Sequence, residues 1–189
     1  MGRLVTAALI FASAGSAFAD VTWDAVKKKA QGAKSYEVDY KYDGPKGNFK
    51  FDYRTIVPGK IRTEIKDSKS DSSRIGTVIV YDADSNKDKV RYRTGGGVMT
   101  RNTTHKDVTG TPFAQPLFTM ILEQIGGAQP TVVPEGGRTR FDFKTGKGKY
   151  SIWANDAGDM VKTERIDGTA RETREFTTIK WNSNPDVKM

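Results

Sequence analysis

Residues 36–43 read Tyr-Glu-Val-Asp-Tyr-Lys-Tyr-Asp. The alternation has no fault: Tyr36, Val38, Tyr40 and Tyr42 fall on one side of an extended chain, and Glu37, Asp39, Lys41 and Asp43 fall on the other. That period of two predicts a half-buried β-strand. On its C-terminal side, Asp43-Gly44-Pro45-Lys46-Gly47 has the composition of a turn. The alternation then resumes, with Phe49, Phe51 and Tyr53 on one face and Lys50, Asp52 and Arg54 on the other. Pro58-Gly59 turns the chain again into residues 60–66, which alternate once more. An antiparallel sheet built from hairpins is the reading these thirty residues impose.

The same period runs through most of the remaining chain. Residues 76–81 are apolar on both faces, which predicts a central strand covered on both sides. Residues 82–88 read as a turn, Lys89–Arg93 alternates, and a weaker strand is expected at 98–103 after the Gly95-Gly96-Gly97 break. Beyond Gly110 the period changes. Pro116 opens a stripe of Leu117, Phe118, Ile121, Leu122 and Ile125 that stops at Gly126-Gly127, the signature of a short helix. Strands resume at 138–145, 149–155, 160–166 and 171–181. In the last of these Phe176 and Ile179 have opposite parity, so a bulge or a change of face is expected. Near the N-terminus Thr22 is placed to cap a helix presenting Trp23, Val26 and Ala30 and ending at Gly32.

The first nineteen residues carry a different message. Met1-Gly2-Arg3, an apolar stretch over 4–14 and the A-x-A string Ala17-Phe18-Ala19 have the order of a cleaved secretory signal peptide. The expected products are a leader at 1–19 and one domain at 20–189, located in the periplasm. Removing the leader loses only Arg3, which takes the net charge from +8 to +7. For an exported protein such a charge points to anionic lipid head groups, or simply to solubility, before it points to nucleic acid.

Composition closes off much chemistry. With no Cys and one His, disulfides, thiolate sites, Cys nucleophiles and multi-histidine metal cages are excluded, and no metal or cofactor is expected. Asp82-Ala83-Asp84-Ser85-Asn86 opens like a calcium loop, but Lys87 and Arg93 occupy the sixth and twelfth positions, so it reads as a hairpin turn. His105 reads as a surface residue, with no nucleophile at a telling spacing in the sequence. Rings and basic residues in 50–54 lie on opposite faces, which argues against a nucleic-acid stacking platform. An enzyme acting on an exported polymer would need His105 or a carboxylate that nothing in the pattern selects. A non-catalytic protein is the expectation.

What remains is apolar surface. Tyr36, Tyr40, Phe49, Phe51, Tyr53, Tyr92, Phe141, Phe143 and Tyr150 share one face of the sheet, and two short helices are available to cover it. Such a cover gives either a packed core or a lined cavity.

The order of elements resembles the LolA-like superfamily of periplasmic lipoprotein carriers, with its LolB-like receptors and RseB-type regulators. The resemblance rests on the strand at 36–42, on residues 49–62 ending Pro58-Gly59-Lys60-Ile61-Arg62, and on the hairpin 76–93. It also rests on Gly110-Thr111-Pro112-Phe113 ahead of the helix and on the closing run 175–182. It implies a mainly β fold: a strongly curved antiparallel sheet, an incomplete barrel of about nine to eleven strands, with two or more short helices over its concave face. It further implies a soluble carrier or chaperone for the acyl chains of a lipid or lipoprotein, with an envelope membrane protein or receptor as a second partner. The alternative within the same fold is an envelope interaction or sensor module with no transported ligand. The sheet aromatics above would form the cavity wall, Leu117, Phe118, Ile121 and Leu122 the lid, and Arg54 the basic residue contacting that lid. Val57 stands where the carriers have their basic residue. Absence of Cys excludes the lipid-anchored receptor form.

Overall fold

A computed structural model describes residues 21–86, 89–94, 100–108 and 110–189. The leader at 1–19, Lys87, the glycine break at 95–97 and the first residues of the strand expected at 98–103 lie outside the described residues. Eleven antiparallel strands form a single sheet: β1 (Ser35–Gly44), β2 (Gly47–Ile56), β3 (Lys60–Ser68), β4 (Val78–Asp82), β5 (Lys89–Arg93), β6 (Thr100–Thr104), β7 (Thr131–Glu135), β8 (Arg138–Thr145), β9 (Gly148–Ala154), β10 (Met160–Asp167) and β11 (Ala170–Trp181). Their order is β6-β5-β4-β3-β2-β1-β11-β10-β9-β8-β7, so among the described residues only the β1–β11 pairing joins strands distant in sequence. Strands β6 and β7 are the two edges of the sheet, and the barrel stays open. This is the incomplete antiparallel barrel that the resemblance implies.

Alternation sets the two faces. In β1 and β2, Tyr36, Val38, Tyr40, Phe49, Phe51 and Tyr53 are buried, while Lys41 and Lys50 between them are exposed. The predicted bulge is present: Asp39 pairs with Thr178 but Tyr40 with Phe176, so Thr177 is the extra residue, and its Oγ1 donates to the Asp39 carbonyl at 3.2 Å. This one insertion lets Phe176 enter the core while Ile179, of opposite parity, also packs against it.

Helix α1 (Trp23–Gly32) is capped by Thr22, whose side chain accepts from the Ala25 N–H at 3.2 Å, and it buries Trp23, Val26 and Ala30. Trp23 seats against Phe143 and Phe141 of β8, with ring centroids 4.9 and 5.5 Å apart. Opposite that contact, Lys29 donates to the Ala157 carbonyl at 2.9 Å and pairs with Asp159, which also accepts from Trp181 Nε1 at 2.6 Å. The helix is thereby tied to both the β9–β10 loop and the end of β11.

Several elements depart from the sequence reading. Residues 82–88 read as a plain turn, but Ala83–Asn86 winds one helical turn, α2. The Asp82 carboxylate caps that turn by accepting from the Asp84 and Ser85 N–H groups, and Asp84 pairs with Lys60 at 2.9 Å. His105 opens a second single turn, α3 (His105–Val108), and is half-buried: its ring lies 4.7 Å from that of Tyr81, with Nε2 3.1 Å from the Ala114 carbonyl. Strand β7 is absent from the sequence reading, because Pro134 and its short, mostly exposed run mark an edge strand with little apolar alternation. Strand β4 is indeed buried on both faces, with Val78 and Val80 on the convex side and Tyr81 on the concave side, yet it stands third from an edge.

Candidate ligand cavity

The longer central helix, α4 (Leu117–Ile125), divides the concave face into two halves. Pro116 precedes it and has no side chain to satisfy the free N–H groups of the first turn. The sheet supplies the caps instead. The Leu117 N–H donates to the Tyr53 hydroxyl at 3.0 Å, the Phe118 N–H donates to the Tyr36 hydroxyl at 3.2 Å, and the Tyr53 hydroxyl donates on to the Gln115 carbonyl at 3.2 Å. Burial pushes both phenols well above their ordinary range, so they stay protonated and keep these bonds across physiological pH. Leu117, Phe118 and Ile121 then have no exposed surface, and the Phe118 ring packs against Tyr36, Phe176 and Trp181. The end of the barrel where β1 starts and β11 finishes is therefore solid.

At the other end, where β1 turns into β2 and β10 into β11, α4 overhangs the sheet only through Met120 and Gln124. There the concave face holds a cavity of about 560 Å³, within the range of about 300–1,000 Å³ usual for small-molecule sites. Its apolar wall is Tyr40, Phe49, Phe51, Ile65, Ile79 and Tyr92, roofed by Phe113 and by Met120 and Gln124 on the outer side of α4. Its polar wall is formed by Arg165 of β10 with Glu172 and Arg174 of β11, and Lys46 and Arg74 stand at the rim.

Arg174 is only 5% exposed. It pairs through Nη1 with Glu172, lies over the Tyr42 ring at 5.5 Å, and leaves its Nε with no hydrogen-bond partner; Tyr42 in turn donates to Glu172 at 3.3 Å. Desolvation followed by the Glu172 charge raises the Tyr42 phenol.

Four of the thirteen residues expected to line a cavity do so: Tyr40, Phe49, Phe51 and Tyr92. Tyr36, Tyr53, Leu117, Phe118, Ile121, Phe141, Phe143 and Tyr150 are instead 2% exposed or less and do not line it. Leu122 is half-buried against that core. The division has a simple cause: alternation assigns a face of the sheet, but only the seat of α4 and α1 decides which end of the face is covered. The expected lid contact of Arg54 is corrected. Arg54 lies on the opposite face from Tyr53 and grips Asp52 in a two-pronged pair at 2.9 and 2.8 Å, away from α4. The tyrosine hydroxyls hold the helix in its place.

Sequence reasoning misses Arg165 of β10 and Glu172 and Arg174 of β11 because both strands carry charges on both faces. Counting by twos from the inward-facing Phe176 towards the start of β11 gives Arg174 and Glu172, a signal present in the sequence.

The fold recurs among solved structures. An uncharacterized conserved protein from Thermus thermophilus matches with a TM-score of 0.53 at 8% identity, over 86% of this chain and 88% of that one. The Mycobacterium tuberculosis lipoprotein LppX matches at 0.52 and 12% identity, over 87% and 95%. LprF from Mycobacterium bovis matches at 0.50 and 10% identity, over 88% and 95%. No protein-family model and no curated protein matches the sequence. The class defined is thus an open, helix-plugged antiparallel barrel with an internal cavity. It has the fold of LppX and LprF.

Proposed function

We propose that this protein is an exported, non-catalytic carrier or chaperone that shields acyl chains of a lipid or lipoprotein within the half-barrel. On this reading residues 1–19 are removed on export and 20–189 work as one domain in the periplasm. The observation that carries the proposal is the cavity of about 560 Å³, with one wall of aromatic and aliphatic side chains and only a partial roof from α4. A water-filled space with such walls gains free energy when hydrocarbon replaces the water, about 0.8 kcal/mol per buried CH₂. A chain of sixteen carbons supplies roughly 12 kcal/mol before the costs of association are subtracted. No reacting group is needed for that work.

The test is native mass spectrometry of protein recovered from the envelope, together with titration by a fluorescent acyl probe. Co-purified lipid or saturable uptake of the probe is expected. A lipid-free protein that also excludes the probe would overturn the proposal.

A further inference from the structure

We propose that the guest of this cavity is an amphiphile with an acidic head group, and that Arg174 is its anchor; this rests on the carrier reading and specifies its ligand. Among the charged residues lining the cavity are four cations, Lys46, Arg74, Arg165 and Arg174, and one carboxylate, Glu172. Arg165 and Arg74 make their ion pairs outward, to Asp167 and Asp71, neither of which lines the cavity. Arg174 is different in kind because it is buried in the wall. Glu172 meets Nη1 only, and Nε has no acceptor. A guanidinium presents its donors as a fixed fork suited to the paired oxygens of a carboxylate or phosphate. A hydrocarbon guest with a neutral end would leave that donor unmet, whereas an oxyanion would satisfy it.

The geometry also fixes a direction. Arg165, Glu172 and Arg174 occupy the β10–β11 side, while Phe51, Ile65, Ile79 and Tyr92 form the wall across β2 to β5. A head seated on Arg174 therefore sends its tail across the concave face towards β5, beneath Met120. Gln124, whose Oε1 is buried without a partner, lines the same cavity and offers an acceptor to any hydroxyl on the head group.

The experiment compares three chain-matched amphiphiles, laurate, dodecyl phosphate and dodecanol, by calorimetric titration of the delipidated protein and of the double variant Glu172→Gln/Arg174→Gln. The paired change avoids stranding a buried carboxylate without its cation. One or both acids are expected to bind the wild type at least about tenfold more tightly than dodecanol. The double variant should lose the preference for the acids over dodecanol. Whichever acid gains more identifies the head as carboxylate or phosphate. Dodecanol binding as well as the acids to the wild type overturns the anchor while leaving the carrier reading intact, and this comparison needs no variant to fold. A preference that survives in a folded double variant also overturns it. Inorganic phosphate displacing dodecyl phosphate at equal concentration would make this a site for a free anion and overturn it too. Failure of all three amphiphiles to bind defeats the carrier reading itself.

Discussion

Replacing Tyr53 with Phe removes one oxygen from the middle of the molecule and tests what holds α4 in place. Tyr53 has no exposed surface, and its hydroxyl serves two backbone groups, accepting from the Leu117 N–H at 3.0 Å and donating to the Gln115 carbonyl at 3.2 Å. In the variant both groups are left without that partner, and water has no access to the site. An unmet buried backbone donor costs about 1–3 kcal/mol and the carbonyl somewhat less, so a loss of roughly 2–3 kcal/mol is expected. Tyr36→Phe deletes a single bond, to the Phe118 N–H at 3.2 Å, and should cost about 1–2 kcal/mol. The two rings lie 6.1 Å apart and serve adjacent residues of one helix turn, so the double variant should lose less than the sum. Urea unfolding gives the values, provided the slope with denaturant is unchanged. Amide exchange at Leu117 and Phe118 should accelerate in the matching single variants. Losses below about 0.5 kcal/mol, with exchange at both amides unaltered, would refute the claim that the sheet caps the helix.

Other consequences can be checked separately. Ile79→Trp places an indole in the cavity wall and should weaken acyl-probe uptake by about tenfold or more without unfolding the protein, because the space it fills is already empty of protein; unchanged uptake would remove Ile79 from the site. Gly148→Ala should destabilise by at least about 2 kcal/mol in a thermal melt, since φ is +122° there and a Cβ would lie 2.1 Å from the Ile166 carbonyl oxygen. For Asp159, burial pushes the carboxyl up, but the bonds from Lys29, Trp181 and Asn155 outweigh it and hold it below the ordinary value. Its stabilising contribution is therefore complete above the unfolded carboxylate range and lost as pH falls through the lowered folded value. Asp159→Asn should cost up to about 1 kcal/mol at neutral pH and nothing in strong acid, read from urea midpoints across the pH range.

Much of this architecture was legible because its strands are half-buried, and half-burial writes itself into sequence as alternation. Residues 36–43 and 49–54 gave face and hairpin together, and the clash of parity between Phe176 and Ile179 marked an irregularity between them, which is the bulge at Thr177. The ends of α1 and α4 were equally plain, since Thr22, Pro116 and Gly126 are local signals, but the tyrosine hydroxyls that cap α4 were not. The division of the concave face was not legible, because nothing in the periodicity of Phe51 and Tyr53 distinguishes one end of a strand from the other. That distinction is made by a helix over sixty residues away in sequence. The anchor Arg174 was hidden for a related reason: inward-facing charge breaks the rule by which inward positions are recognised. The edge strand β7 was silent because Val132 and Pro134, though on the face of Phe141 and Thr139, stay exposed at the edge.

The unjoined edges β6 and β7 have a mechanical consequence. In a closed barrel the hydrogen-bond ladder fixes the bore, because strand number and stagger admit one circumference. Here no ladder among the described residues bridges the gap, so the girth of the interior depends on how tightly the ribbon coils. A few degrees of twist shared among ten strand pairings would widen or narrow the gap without breaking a ladder bond.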